Sequence, residues 1–390
     1  MPHSGSLATF AAAKKGGRSL PKYLNSLMRA AFLVFCMLIT GWSVAQHGGH
    51  AAPDAADPAL ESRSEAAEFN AGKLIMGHIG DEHGWHIAGD LTLPLPVIIY
   101  DTQRGLKVFS SSRFEHGHAA YDGYLLQDGS IVAVDASGTV DKAATANIWD
   151  LSITKNVLTA VVVLFLVVLT FISVAKAYGR RAGQAPKGLQ SLMEPIILFV
   201  RDDVAKGAIG EKKYESFMPF LLTVFFFILF ANLLGLVPFF PGGANLTGNI
   251  AVTFTLALIV LLIVTFNGNR HYWGHILAMP GVPPWVLIIL TPVEILGMFL
   301  KPFVLMIRLF ANIAAGHIIA MSFFSLIFVF GATSAAAGYG VSVVSLLFTI
   351  FMFFLEILVA FIQAYVFAFL SALYIGAAVE ESHEHKESLV

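Results

Sequence analysis

Seven polar side chains sit where this chain is otherwise most apolar. Glu294, Lys301, Arg308, Asn312 and His317 fall in one stretch, and Glu356 and Gln363 in another. Their types suit ion transfer. Arginine stays protonated at any physiological pH, so it acts as a fixed cation and cannot relay a proton. Histidine and glutamate can gain and lose protons, and the two amides can hydrogen-bond to either state. Ionisable groups inside apolar segments are costly enough that they usually mark ion or substrate paths.

Glu294, Lys301 and Arg308 are seven apart, nearly two helical turns, and so share one face with a drift of about 20° per step. Asn312, four beyond Arg308, continues that stripe, whereas His317 turns to the opposite face. Glu356 and Gln363 are again seven apart. If the two stretches fold as an antiparallel hairpin about "GATSAAAGYG" (331–340), Arg308 falls level with Gln363, and His317 with Glu356. Both pairs are then centred near Ala336. Competing structural readings are snorkelling for Arg308, a hydrogen-bonded pair for His317 and Glu356, and helix–helix contact for Asn312 and Gln363. Glu294 and Lys301 can pair with each other, or Lys301 can reach the aqueous surface.

The elements that must position these groups are membrane helices. The 390 residues are 56% hydrophobic and 13% charged, with mean hydropathy +0.73. Such a balance excludes an ordinary soluble domain, and several apolar runs are long enough to span a bilayer. A net charge of -2 gives no reason to expect nucleic acid as a partner. The single Cys36 excludes a disulfide framework or a thiolate metal site.

Residues 1–45 read as a signal peptide: basic residues, then "AAFLVFCMLITGW", then "SVA", with an uncleaved membrane anchor as the alternative. Residues 46–150 read as a small extracytoplasmic domain. Its "HIAGDLTLPLPVIIY" and "GSIVAVDASGTV" have the β-branched, Gly/Pro-bounded character of strands. Spans follow at 157–174, 217–237 and 250–266. The segment 285–330 has 46 residues, about 70 Å as a helix, and must be broken, steeply tilted or partly in the membrane plane. The segment 343–375 is also overlong. Eight Lys and Arg between Lys176 and Lys213 place that connection in the cytoplasm. The fold class is therefore an all-α polytopic membrane protein with five crossings, including a long tilted antiparallel hairpin, and a small β-containing N-terminal region. The N-terminus is outside and the tail 381–390 is cytoplasmic.

With these positions set out, "KPFVLMIRLFANIAAGHII" (301–319) and "IQAYVFAFLSALYIGAAVE" (362–380) resemble subunit a of the F-type ATP synthase membrane sector. "NLLGLVP" (232–238) and "TFTLAL" (253–258) are similar to its middle helices, and the resemblance covers about 150–380. It implies a non-catalytic stator subunit in a bacterial inner membrane. Its implied partners are a ring of c subunits, a b-type peripheral stalk and the rest of the complex, together with lipid. It also implies that Arg308 is the essential arginine, with Asn312 and Gln363 as its polar neighbours. His317 and Glu356 match two half-channel positions, with acid and imidazole exchanged relative to some bacterial members. Glu294 matches an acidic position on the aqueous path. No cofactor or metal is expected. H⁺ is the expected transported ion, with Na⁺ the alternative.

No G-x-x-x-x-G-K-[ST] phosphate loop occurs, so no nucleotide site is expected. "GHIGDEHGWH" (77–86), "FEHGH" (114–118) and "SHEHKE" (382–387) lack metal-site spacing and read as solvated loops. "NLT" (245–247) lies in a short membrane loop and is discounted as a glycosylation site. The rival functions are a secondary transporter using Arg308, His317 and Glu356, and a purely structural anchor for residues 46–150. A transporter usually shows two related halves, and none is visible here.

Overall fold

Helix starts follow local capping chemistry. Asn249 Oδ1 accepts from Ala251 N–H, Asn269 Oδ1 from Tyr272 N–H, and Ser334 Oγ from Ala337 N–H, each opening a helix. The computed structural model describes residue 72 and residues 80–380, except 89–90, 128, 136, 181–183 and 238–240. The expected signal peptide, the first part of the expected extracytoplasmic domain and the tail 381–390 lie outside the described residues.

The first described unit is a small β structure. Strands β1 (Gly84–Ala88) and β2 (Leu91–Pro94) form one hairpin, and β5 (Tyr124–Gln127) and β6 (Ser130–Ala133) another. Between them β3 (Pro96–Asp101) is flanked by β4 (Gly105–Ser110) and β7 (Ile148–Asp150), both antiparallel. A 3-10 helix (Ser111–Gly117) and the short α1 (Lys142–Thr145) complete it. Val97, Ile99, Phe114, Tyr124, Ile131 and Ile148 form the core. The solvated-loop reading of 77–86 and 114–118 is overturned in part. His83, Trp85 and Phe114 are buried, and His83 Nε2 donates to Asp150 Oδ2 at 2.9 Å. Burial raises the Asp150 carboxyl, but the bonds from His83 and Ser152 and the imidazole's charge outweigh it and hold it below its ordinary value.

Helix α2 (Lys155–Arg180) leaves this unit through a shared cap. Lys155 N–H donates to Glu82 C=O at 2.9 Å, and Asn156 N–H to Asp81 Oδ1 at 3.1 Å. Two of the orphan donors at the helix start are thus satisfied by the strand entrance 81–82.

After α2 come α3 (Leu189–Phe199), a π-helical turn (Val200–Lys206) and the single turn α4 (Gly207–Ile209). By charge and composition alone this segment is a polar connection. Helices α5 (Tyr214–Gly235), α6 (Ile250–Asn267), α7 (Arg270–Leu277), α8 (Pro284–Thr333) and α9 (Ala335–Val379) follow. Among the described residues five helices (α2, α5, α6, α8 and α9) are long and apolar enough to span a bilayer. The chain is an all-α polytopic membrane protein over this region.

Helix α8 runs unbroken for 50 residues through Pro292 and Pro302, which removes the broken-helix option. The expected turn over 331–340 is too long. Only Ser334 separates α8 from α9, because Ala-rich sequence continues the helix and Gly338 packs close to Gly331. Phe323 and Phe348 stack across the two helices at 4.0 Å between ring centres.

Helix α5 is apolar all round and packs between its neighbours, as a helix without a polar face must. Phe225, Phe226 and Phe227 are fully buried, meeting Phe171 of α2 and Phe361 of α9 edge-on. The C-terminus of α9 is tied down: Lys213 Nζ donates to Val379 C=O at 2.8 Å, and Asn269 N–H to Ala378 C=O at 2.9 Å. Nearby, a methyl on Gly376 would stand 2.0 Å from Ala208 C=O, so only glycine lets α9 and α4 approach this closely.

Gly376→Val should therefore destabilise the bundle by about 1–3 kcal/mol, whereas Gly297→Ala, with open space around it, should be neutral or stabilise by up to about 1 kcal/mol. Thermal unfolding in detergent compares the two. At the α2 cap, burial pushes the Asp81 carboxyl from 3.8 up to about 6. The folded state then holds a proton that the unfolded chain releases, so this contribution is full below about pH 4 and lost as pH rises through about 6. Denaturation followed by Trp fluorescence should show that decline between pH 4 and 6, and Asp81→Asn should remove it.

Candidate functional site

Arg308 and Asn312 lie on the outward face of α8. Arg308, Ala311, Asn312 and Ala315 are all exposed, and their spacing puts them on one helical stripe. Among the described residues Arg308 makes no ion pair or hydrogen bond. The small alanines beside it make a surface that admits another helix at short range. No hydrogen bond joins Arg308 to Gln363, which is 6% exposed and packed within the bundle.

His317 and Glu356 do share a level. A methyl on Gly316 would stand 2.8 Å from Glu356 Oε1, so the carboxyl group lies against the residue next to His317. His317 Nε2 in turn stands 3.9 Å from where a methyl on Gly235 would be, at the end of α5. Glu356 Oε1 is buried and makes no hydrogen bond among the described residues.

Further polar groups gather near the α5–α6 connection, and the sequence reading did not single them out. Asn232 is buried; Thr247 Oγ1 donates to its Oδ1, and its Nδ2 donates to Ala360 C=O at 3.4 Å. Asn245 Nδ2 in that connection is buried without a hydrogen-bond partner among the described residues, as is Ser325 Oγ on α8. The signal for Asn232 was an amide inside an otherwise apolar run.

Glu294 and Lys301 form no ion pair with each other. Lys301 Nζ lies 5.9 Å above the Tyr374 ring. Glu294 sits near Tyr272 of α7, whose phenol is raised first by burial and then by the Glu294 charge. A shallow cavity at this end is lined by Tyr272, Met298, Lys301 and Tyr374, among others.

Residues 157–376, more than half of the chain, match the family described as ATP synthase A chain. The chain belongs to the ATP synthase subunit a family. It is 46% identical over 250 residues to ATP synthase subunit a of Chloroherpeton thalassium, covering 62% of this chain and 72% of that protein. Subunit a 2 of Chlorobaculum tepidum is 46% identical over 247 residues (61% and 66%), and subunit a of Myxococcus xanthus 44% over 246 residues (61% and 76%). Residues 74–151 separately match a domain of unknown function (DUF8433). Subunit a is a non-catalytic membrane subunit of the ATP synthase, in keeping with the lack of a phosphate loop.

The Asn232 node ties α5, the loop after it and α9 together. Asn232→Leu should leave the buried Thr247 hydroxyl without its acceptor and remove the extra bond to the Ala360 carbonyl, costing about 1–3 kcal/mol. A lowered unfolding temperature in detergent checks this, with Asn232→Gln as a partial rescue.

Proposed function

We propose that this stator subunit carries protons between two aqueous half-channels by way of a ring of c subunits, with Arg308 as the barrier between them. The observation that carries the reading is the exposed Arg308, with no ion pair among the described residues, flanked by Ala311, Asn312 and Ala315 on a helix long and apolar enough to span a membrane. A fixed cation there favours a carboxylate brought by a partner.

The physics of a moving acid supplies the rest. In lipid a ring carboxyl group is neutral, because a bare anion in hydrocarbon is very costly. Beside Arg308 its ionised form is stabilised and the proton leaves. Arg308 cannot accept that proton, so protons do not pass from one half-channel to the other without the ring turning. His317 and Glu356 deliver protons from the outer side, and the Gly316–Glu356 contact supports their shared role. Asn312 and Gln363 shape the surroundings of the arginine. Glu294 faces the opposite path near Tyr272. The transported ion in this proposal is H⁺.

In the same reading the β unit and Ser334 lie on the extracytoplasmic side and the Lys/Arg-rich connection before α5 lies in the cytoplasm. The membrane is the bacterial inner membrane, and a b-type stalk holds the subunit against the ring. Residues 1–45 act as a cleaved signal peptide. The family match removes the ground for the secondary-transporter and pure-anchor alternatives.

Arg308→Ala should abolish proton-driven ATP synthesis and ATP-driven acidification in inverted vesicles; retained synthesis would end this account. Arg308→Lys should fail as well, since a desolvated ammonium can shed its proton. Glu356→Ala should slow proton delivery by about 100-fold, the low end for a positioned proton-transfer group, while the barrier itself stays closed.

A further inference from the structure

The three-stranded sheet has one buried face and one bare face. Val97, Ile99 and Ile148 point into the core. On the other face Leu106, Tyr100 and Trp149 are direct cross-strand partners in one row, and Val108 stands opposite Ile98 in the next. Leu106 is 62% exposed and Val108 63%, with Tyr100, Trp149 and Leu151 also exposed. None of these six outward positions carries a charge. A sheet face in water normally alternates to polar residues on its outer side, and contiguous exposed apolar surface marks an interaction site.

The sheet is also fixed close to a membrane helix. Beyond β7 the pairing continues, with Leu151 N–H donating to Ile98 C=O at 2.8 Å and Ile153 N–H to Pro96 C=O at 3.1 Å. Two residues later α2 begins at Lys155, its first donors capped by Glu82 and Asp81 of the same unit. The sheet therefore has no free linker on which to swing away. Leu151 is within about 13 Å of the helix start even if the chain between is fully extended. Helix α2, with 26 residues, is about 39 Å long against a hydrocarbon core of about 30 Å, so its first turn reaches the headgroup layer.

We infer that this bare face rests on the bilayer surface, with Leu151, Ile98 and Val108 nearest the acyl chains and Trp149 and Tyr100 among the headgroups. The occupant is lipid, because the face is continuous with the span that enters the membrane. Its aromatic-plus-aliphatic character, without charge, is that of a membrane interface. The β unit is then a collar fixed at the membrane surface beside α2, not a module tethered at a distance.

The test uses the full chain within its complex in nanodiscs, with Cys36 replaced by serine and single spin labels at Leu106→Cys, Val108→Cys and, in an exposed turn off the sheet, Ser137→Cys. Labels at 106 and 108 should be relaxed more by oxygen than by a water-soluble nickel chelate, and the label at 137 the reverse. Independently, brominated lipids should quench the unlabelled protein's fluorescence, and Trp149→Phe should lose that part of the quenching. Nickel access at 106 and 108 equal to that at 137 would overturn the inference, leaving the face in water. Shielding from both agents would overturn it too, showing that protein, including residues 46–79 of this chain, covers the face.

Discussion

A guanidinium that cannot lose its charge, on a membrane-spanning helix and with no ion pair among the described residues, is the constraint on which the rest depends. Burying an unpaired ion is far more costly than any single packing contact can offset. The chain does not bury Arg308; it presents it. Alanines at 311 and 315 keep its surroundings low, and Asn312 adds a neutral polar neighbour on the same stripe. The arrangement is electrostatically incomplete by itself, as a subunit that works against a partner must be.

Presenting a cation at fixed depth requires a stiff support. Helix α9 supplies it by packing on α5 and α8, with Phe361 against Phe225, Phe348 against Phe323 and Gln363 turned inward. Its far end is held by Lys213 and Asn269, which satisfy carbonyls that would otherwise face the membrane surface unpaired. The Lys213 ammonium also complements the negative end of the helix dipole. Helix α8 is thereby buttressed along one side and left open on the side of Arg308.

Much of this was legible in the sequence, for identifiable reasons. Spans announce themselves through apolar length, and polar residues within them stand out against a background that leaves few alternatives. The position of the turn did not, because Gly and Ala are as compatible with a tightly packed helix pair as with a loop. Ser334 was the informative residue, since its hydroxyl caps α9. The α3 segment was hidden because its flanking Lys and Arg made the whole stretch look polar, although "EPIILFV" within it is apolar. Strand β7 is short and owes its pairing to the distant β3, which no local pattern reveals, whereas β4 and β5 pair across tight turns with their sequence neighbours. Asn232 acquires its meaning only from Thr247 and Ala360, one in the next loop and the other in the last helix.

Two glycines show how the same residue serves opposite ends. At Gly376 the missing side chain lets backbone meet backbone, and nothing there can move aside to admit a methyl. At Gly316 the missing side chain makes room for a carboxyl group, whose flexible end can rearrange. The first closes α9 onto α4 and locks the frame. The second leaves Glu356 a pocket against α8 in which one oxygen has no hydrogen-bond partner within the described chain. A buried carboxyl oxygen without a partner is costly unless water or a proton donor reaches it. In the proposed reading that unsatisfied position is where the outer path meets the protein. The hairpin thus combines a tightly closed end at Gly376 with a polar pocket at Glu356, and Arg308 is exposed on α8.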